Sequence, residues 1–146
     1  MKGKQAKTHT YDIIIIGAGV AGPIAAMAAA RAGAKTLLVE GDGYPGGTLT
    51  RSNVNPMMTF HAGDQQVVRG IPDEVVQRLV AMGGSPGHII DSIGFASSVT
   101  PFDSELLKYV LQEMMLADGV DLLFHSHFRE VRWSEDTITS VVVQTK

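Results

Sequence analysis

The stretch YDIIIIGAGVAGPIAAMAAARAGAKTLLVE, residues 11–40, decides the fold. Its four consecutive isoleucines, Ile13 to Ile16, predict a strand buried on both faces, as the interior of a parallel sheet requires. Gly22 to Ala32 is rich in alanine and predicts a helix, with Gly33 in the place of a C-terminal cap. Thr36 to Glu40 is a second apolar strand, ending on a carboxylate. Strand, helix and strand over about thirty residues make a βαβ unit with a parallel sheet.

Between the first strand and the helix stands Gly17-Ala18-Gly19-Val20-Ala21-Gly22, a G-x-G-x-x-G spacing. In a chain with 16 glycines that spacing alone says little. Its setting says more: it follows a buried strand, opens a helix, and is followed by Glu40 eighteen residues beyond Gly22. Gly17 permits the tight turn, Gly19 removes a side chain where a pyrophosphate approaches the backbone, and Gly22 lets the helix lie against the strand. The amides of Val20, Ala21 and their neighbours then face the phosphates from the positive end of the helix dipole. Glu40 is placed to accept hydrogen bonds from ribose hydroxyls and to repel a 2′-phosphate.

The rest of the chain agrees with a globular α/β domain. A length of 146 residues suits one domain, and 45% hydrophobic against 18% charged residues excludes disorder as the main state. Net charge is −3, with no Lys/Arg cluster beyond Lys2, Lys4 and Lys7, so nucleic acid is not an expected partner. The absence of cysteine excludes disulfides, thiol nucleophiles and redox Cys pairs. The uncharged run Ile13–Ala30 imitates a signal peptide or short membrane span, but Asp12 precedes it and Gly17, Gly19, Gly22 and Pro23 break it, so no membrane partner is expected.

Residues 1–10 read as a flexible terminus and 11–146 as the dinucleotide-binding domain. Gly41 to about Gly70 lacks a period and predicts an ordered loop of functional length. Asp73 to Met82 predicts a short amphipathic helix. Thr100 predicts an N-cap with Pro101 at the first helical position, for a helix whose apolar face runs from Leu106 to Met115 and which ends near Ala117. Val120–Phe124, Phe128–Trp133 and Thr137–Thr145 predict three strands, the last two forming a hairpin.

Up to Glu40 an NAD-binding and an FAD-binding domain are alike. Glu40 is followed by Gly41-Asp42-Gly43-Tyr44-Pro45-Gly46-Gly47-Thr48 rather than by another helix. This resembles the glutathione-reductase-like FAD fold, in which a Gly-Gly turn passes beside the pyrophosphate. With PGGTLTRSNVNPMMTFH, TPFDSELLKYVLQEMML and GVDLLFHS, the chain from Tyr11 onward is similar to the N-terminal part of the FAD-dependent oxidoreductase family. The resemblance implies a Rossmann-like three-layer ββα domain, FAD as cofactor and a cytoplasmic flavoenzyme. It also implies that Gly41, Gly46, Gly47 and Thr48 lie along the cofactor, with Phe128 and its neighbours reaching the adenine.

The family continues beyond the point matching Lys146 with a small-residue turn that closes the flavin site. The resemblance therefore implies an incomplete flavoprotein, completed by further sequence or by a partner chain. It further implies that Arg51, Asn53, Asn55 and His61 run past the flavin ring, Arg51 or an amide stabilising reduced flavin and His61 serving as an acid or base toward a small-molecule substrate or electron acceptor. His125 and His127 alternate on a strand, but no third ligand at matching spacing joins them, so no metal is expected. Met57-Met58 and Met114-Met115 read as core filler. Two rival readings stay open from the residues alone: an NAD-binding dehydrogenase module, and a non-catalytic subunit that retains the fold.

Overall fold

A computed structural model describes residues 7–145. Of the flexible terminus expected over residues 1–10, the first six positions lie outside the described residues, and Lys7 to Thr10 have no regular structure. In chain order the elements are β1 (Ile13–Ile16), α1 (Ala21–Arg31), β2 (Thr36–Val39), a single 3₁₀ turn (Gly47–Leu49), β3 (His61–Ala62), β4 (Gln65–Gln66), α2 (Ile71–Ala81), β5 (Ile89–Ile90), β6 (Ser98–Val99), α3 (Ser104–Ala117), β7 (Asp121–Leu123), β8 (Ser126–Ser134) and β9 (Thr137–Thr145).

The central sheet is parallel, in the order β1-β2-β7. Ile15 pairs with Leu38 and Leu38 with Leu122, and these side chains face the helices, where Met27, Leu79, Leu107, Val110, Leu111, Met114 and Met115 close the core. Side chains alternate across a strand, so Ile14, Leu37, Val39 and Leu123 face the other way, toward Val141 and Val143 of the β8–β9 hairpin. Helices, parallel sheet and antiparallel hairpin are the three layers of a Rossmann-like ββα domain. Each buried Leu or Met of α3 contributes roughly 1.5–3 kcal/mol by leaving water, and Met114 and Met115 are core residues, as their pattern predicts.

Three expectations are corrected. β1 is not buried on both faces: among the described residues it pairs only with β2, and at this sheet edge Ile13 and Ile16 are 39% and 45% exposed. Thr100 is not the cap of α3, which begins later. Asp103 is the cap, its carboxylate accepting the amides of Glu105 and Leu106, and Thr100 is fully buried in a β-bridge with Met57. Met58 is not core filler: it is 53% exposed, because Met57 turns inward and the next side chain turns out. The long loop after Glu40 does carry only short elements, and Ile89-Ile90 is extended, paired with Ser98-Val99.

Candidate functional site

β1 ends where the amide of Gly17 donates to the Val39 carbonyl at 2.8 Å, and Gly17 turns the chain with φ +98°. A methyl group at Gly22 would drive into the Gly17 carbonyl oxygen, so this glycine is required for α1 to start so close to β1. A methyl at Gly19 would meet no atom within 4 Å. No side chain caps the start of α1 and no acid stands in its first turn, so its amides open onto that free space without an intramolecular partner.

The Gly46-Gly47 turn is docked on this loop. The Gly46 amide donates to the Ala18 carbonyl at 2.7 Å, and a Cβ on Gly47, whose φ is +49°, would stand 2.8 Å from the Gly19 Cα. Two turns separated by about a helix and a strand in sequence therefore meet backbone to backbone. Glu40 ties the first turn to the start of the loop that leads to the second: Oε2 accepts the Ala18 amide at 2.6 Å and Oε1 accepts the Asp42 amide at 2.8 Å. A carboxylate has about four acceptor sites, which leaves Glu40 lone pairs for two further donors.

Beyond Glu40 a cavity of about 330 Å³ is lined by Gly17, Glu40, Gly41, Asp42, Arg51, Ser126, His127 and Phe128, among others. The His127 ring lies on Gly41 and the His125 ring on Gly43, each within 3 Å of where a Cβ would be, so both glycines are needed for the imidazoles to approach. His125 and His127 do not alternate on one strand as expected. His125 has φ +51° and lies between β7 and β8, because the chain must turn there to bond Asp42.

A second cavity, of about 450 Å³, opens on the other side of the turn. It is lined by Val20 and Ile24 of α1, Gly46 and Leu49, Val54 and the run from Pro56 to Phe60, and Val75, Leu107 and Leu111 from the helices, among others. Met57 and Met58 both line it.

The substrate-side candidates do not stay together. Arg51 lies at the cavity beside Glu40, its Nη1 3.1 Å from the Asp42 carboxylate, and not along the apolar cavity. The reason is local: the amides of Leu49, Thr50 and Arg51 donate back to Gly46 and Gly47, which folds the chain over toward the acidic loop. Thr48 is exposed on that turn, and its carbonyl accepts the Val54 amide. Asn53 is exposed with φ +49°, and Asn55 donates from Nδ2 to the Phe102 carbonyl at 2.5 Å, tying this loop to the start of α3.

His61 sits in a third, polar cavity of about 430 Å³ with His88 and Ser98. Its Nδ1 is 2.9 Å from Ser98 Oγ, and its ring meets that of His88 edge to face at 5.3 Å. His88 donates from Nε2 to Asp73 at 3.0 Å, and this bond is the main reason the Asp73 carboxyl is held below its ordinary range. His88, Ser98 and Asp73 carried no sequence signal for this cluster, because they come from three separate places in the chain: the loop before β5, the short strand β6 and the first turn of α2.

The geometry defines a class: a Rossmann-like domain that binds a dinucleotide at the carboxyl edge of a parallel sheet, with a second glycine turn laid over the first. The model of the FAD dependent oxidoreductase family matches residues 12–146, and the chain belongs to that family. It is similar to the tRNA uridine 5-carboxymethylaminomethyl modification enzyme MnmG of Ligilactobacillus salivarius, at 36% identity over 61% of this chain and 12% of that enzyme. Among solved structures it resembles Thermovibrio ammonificans THI4, with TM-score 0.61 and 14% identity over 92% of this chain and 48% of that one. It also resembles glycine oxidase from Bacillus cereus, with TM-score 0.58 and 12% identity over 92% of this chain and 51% of that one. The chain thus spans only a fraction of the relatives it matches, about half at most in these three. Family membership settles FAD against NAD as the cofactor. The residues present fit it: free space before an uncapped helix start, a Gly-Gly turn packed on it, and a carboxylate with spare acceptors. Among the described residues no helix is long and apolar enough to cross a membrane.

Proposed function

We propose that this chain supplies the nucleotide-binding half of a flavin-dependent oxidoreductase site. Gly17, Gly19, Val20, Ala21 and Gly22 hold the pyrophosphate, Glu40 the ribose, and Gly41, Arg51, His127 and Phe128 surround the adenosine. Gly46, Gly47 and Thr48 lead from the pyrophosphate toward the apolar cavity, where the reacting end of the ligand lies. Bound this way, FAD supplies transfer of an electron pair or hydride. The protein's part is to orient the two ends of the cofactor and to keep water from the apolar side.

The observation that carries this reading is the contact between the two glycine turns beside the open face at Gly19. Nothing in a merely structural βαβ unit calls for both a bare helix start and empty space in front of it. The open edge of β1 supports a further expectation, that more polypeptide, on the same or another chain, adds a wall to the site. The similar proteins include a tRNA-modifying enzyme and a glycine oxidase, so the likeness assigns this chain no substrate. The acidic balance of the chain argues for a small-molecule substrate or electron acceptor rather than a nucleic acid. A cytoplasmic location is part of the same proposal.

The test is a calorimetric titration of the chain with FAD and with ADP, alone and with any co-purifying polypeptide. The expected result is that ADP binds nearly as well as FAD to the chain alone, and that added polypeptide tightens FAD selectively. Equal, tight FAD binding in both cases would show that no further wall is used. Binding of neither ligand would sink the whole reading.

A further inference from the structure

Of the residues lining the apolar cavity, Thr59 carries the only polar side chain. Its hydroxyl is 3.1 Å from Ser98 Oγ, and Ser98 Oγ is 2.9 Å from His61 Nδ1. Ser98 is buried, while His61 lines the separate polar cavity. A continuous run of hydroxyls thus crosses the wall between the two cavities. It joins the single polar group on one side to a titratable ring on the other.

We infer that Thr59, Ser98 and His61 form a proton relay serving the reacting end of the bound flavin. The inference rests on the assignment of that end to the apolar cavity. When a flavin takes an electron pair from its donor it also takes up a proton, and the apolar walls offer no ionisable group to deliver one. In the relay, protonated His61 passes its Nδ1 proton to Ser98 Oγ, Ser98 passes its own to Thr59 Oγ, and Thr59, whose hydroxyl at rest donates to the His61 carbonyl at 3.2 Å, turns to pass its own into the cavity. Solvent in the polar cavity restores the proton on His61, so the net proton comes from water. Hydroxyls suit the middle positions because each donates and accepts at once.

Several polar and titratable groups face His61 or stand behind its neighbours. His88 meets it edge to face, Asp64 lines the same cavity, Gln66 is its neutral partner across the β3–β4 pair, and Asp73 stands behind His88. His88 is already bonded on both nitrogens, to Asp73 and to Thr100, which leaves His61 as the imidazole with a nitrogen free to exchange protons with solvent. Ser98 acts here through its neighbours and is a positioning residue.

The experiment has two arms. In the first, nitrogen NMR of His61 in the flavin-free chain is compared for the wild type, Ser98→Ala and Ser98→Thr. A defined tautomer is expected in the wild type and in Ser98→Thr, and a mixed one in Ser98→Ala. The same mixture in all three overturns the relay. In the second, the FAD-loaded chain is reduced by methyl viologen radical, which donates electrons without protons, and proton uptake is followed with an indicator dye. Uptake is expected to lag flavin bleaching by roughly tenfold or more in Ser98→Ala, Thr59→Val and His61→Gln. Ser98→Thr should restore it. Bound flavin with unchanged uptake in all three variants overturns the relay alone, whereas failure of the chain to hold flavin overturns the site assignment as well.

Discussion

Gly19→Val should abolish FAD binding while leaving the fold nearly intact, and the contrast with Gly22→Ala makes the reasoning testable. A Cβ at Gly19 meets nothing within 4 Å, so the unliganded protein should change by no more than about 0.5 kcal/mol, as at an uncrowded surface position. The same side chain fills the space that the first amides of α1 face. At FAD one hundred times above its dissociation constant, binding adds about 2.7 kcal/mol to the stability of the wild type. At about 4 °C per kcal/mol for a domain of this size, that is a rise of about 10 °C in melting temperature. Gly22→Ala behaves in the opposite way, since its methyl collides with the Gly17 carbonyl. Overpacking of this kind costs about 1–3 kcal/mol, or roughly 4–12 °C without any ligand. Thermal unfolding of the three proteins with and without FAD separates the effects. A Gly19→Val protein that FAD stabilises as much as the wild type would refute the assignment of the space before α1 to the pyrophosphate.

Glu40→Ala should weaken FAD in equilibrium dialysis by about 10–150-fold for each ribose hydrogen bond lost, at roughly 1.5–3 kcal/mol. It should also lower the melting temperature, because the partly buried amides of Ala18 and Asp42 lose their acceptor. Asp103→Ala removes the cap that takes the Glu105 and Leu106 amides and should cost about 1 kcal/mol in urea unfolding, with FAD affinity unchanged. The fold lowers the Asp73 pKa, chiefly through the His88 hydrogen bond, so the stability this group adds is complete above its ordinary value of 3.8 and drains away as pH falls through the folded value. Asp73→Asn should therefore flatten the acid limb of a melting-temperature profile below about pH 4, and an unaltered limb would show that the pair does not matter.

The dinucleotide turn was legible because its requirements are local and negative. Gly17 needs a positive φ and Gly22 needs the absence of a methyl group, and each demand is written in sequence as a glycine at a fixed spacing, while Gly19 is demanded only by the ligand proposed to lie before it. The βαβ unit was legible for a similar reason, since four isoleucines and an alanine-rich run state their period openly. The strand's edge position was not legible, because exposure of Ile13 and Ile16 depends on which strands pair with β1, and that is a property of the whole sheet. The Thr100 cap failed on competition. Two residues of good capping chemistry stand three apart, and the burial of Thr100 against Met57 and His88 removed one of them from consideration.

The side-chain cluster around His61 shows the complementary limit. His61 and Ser98 are 37 residues apart, His88 and Asp73 are 15 apart, and neither pair has a spacing that any helix or strand would produce. What brings them together is backbone pairing between very short elements, β5 with β6 and the Met57–Thr100 bridge, which place Ser98 and Thr100 beside the segment running from Met57 to His61. The same pairing puts Thr59 on the wall of the apolar cavity, directly after the two methionines that line it. A loop that looked aperiodic is thus ordered from outside, by hydroxyl and imidazole contacts rather than by a core of its own. That origin explains the place of His61, whereas Arg51, ten positions earlier, is turned to the cavity beside Glu40 by the local bonds to Gly46 and Gly47. The segment runs from the cavity beside Glu40 to the polar cavity around His88, which is why its two candidates line different cavities.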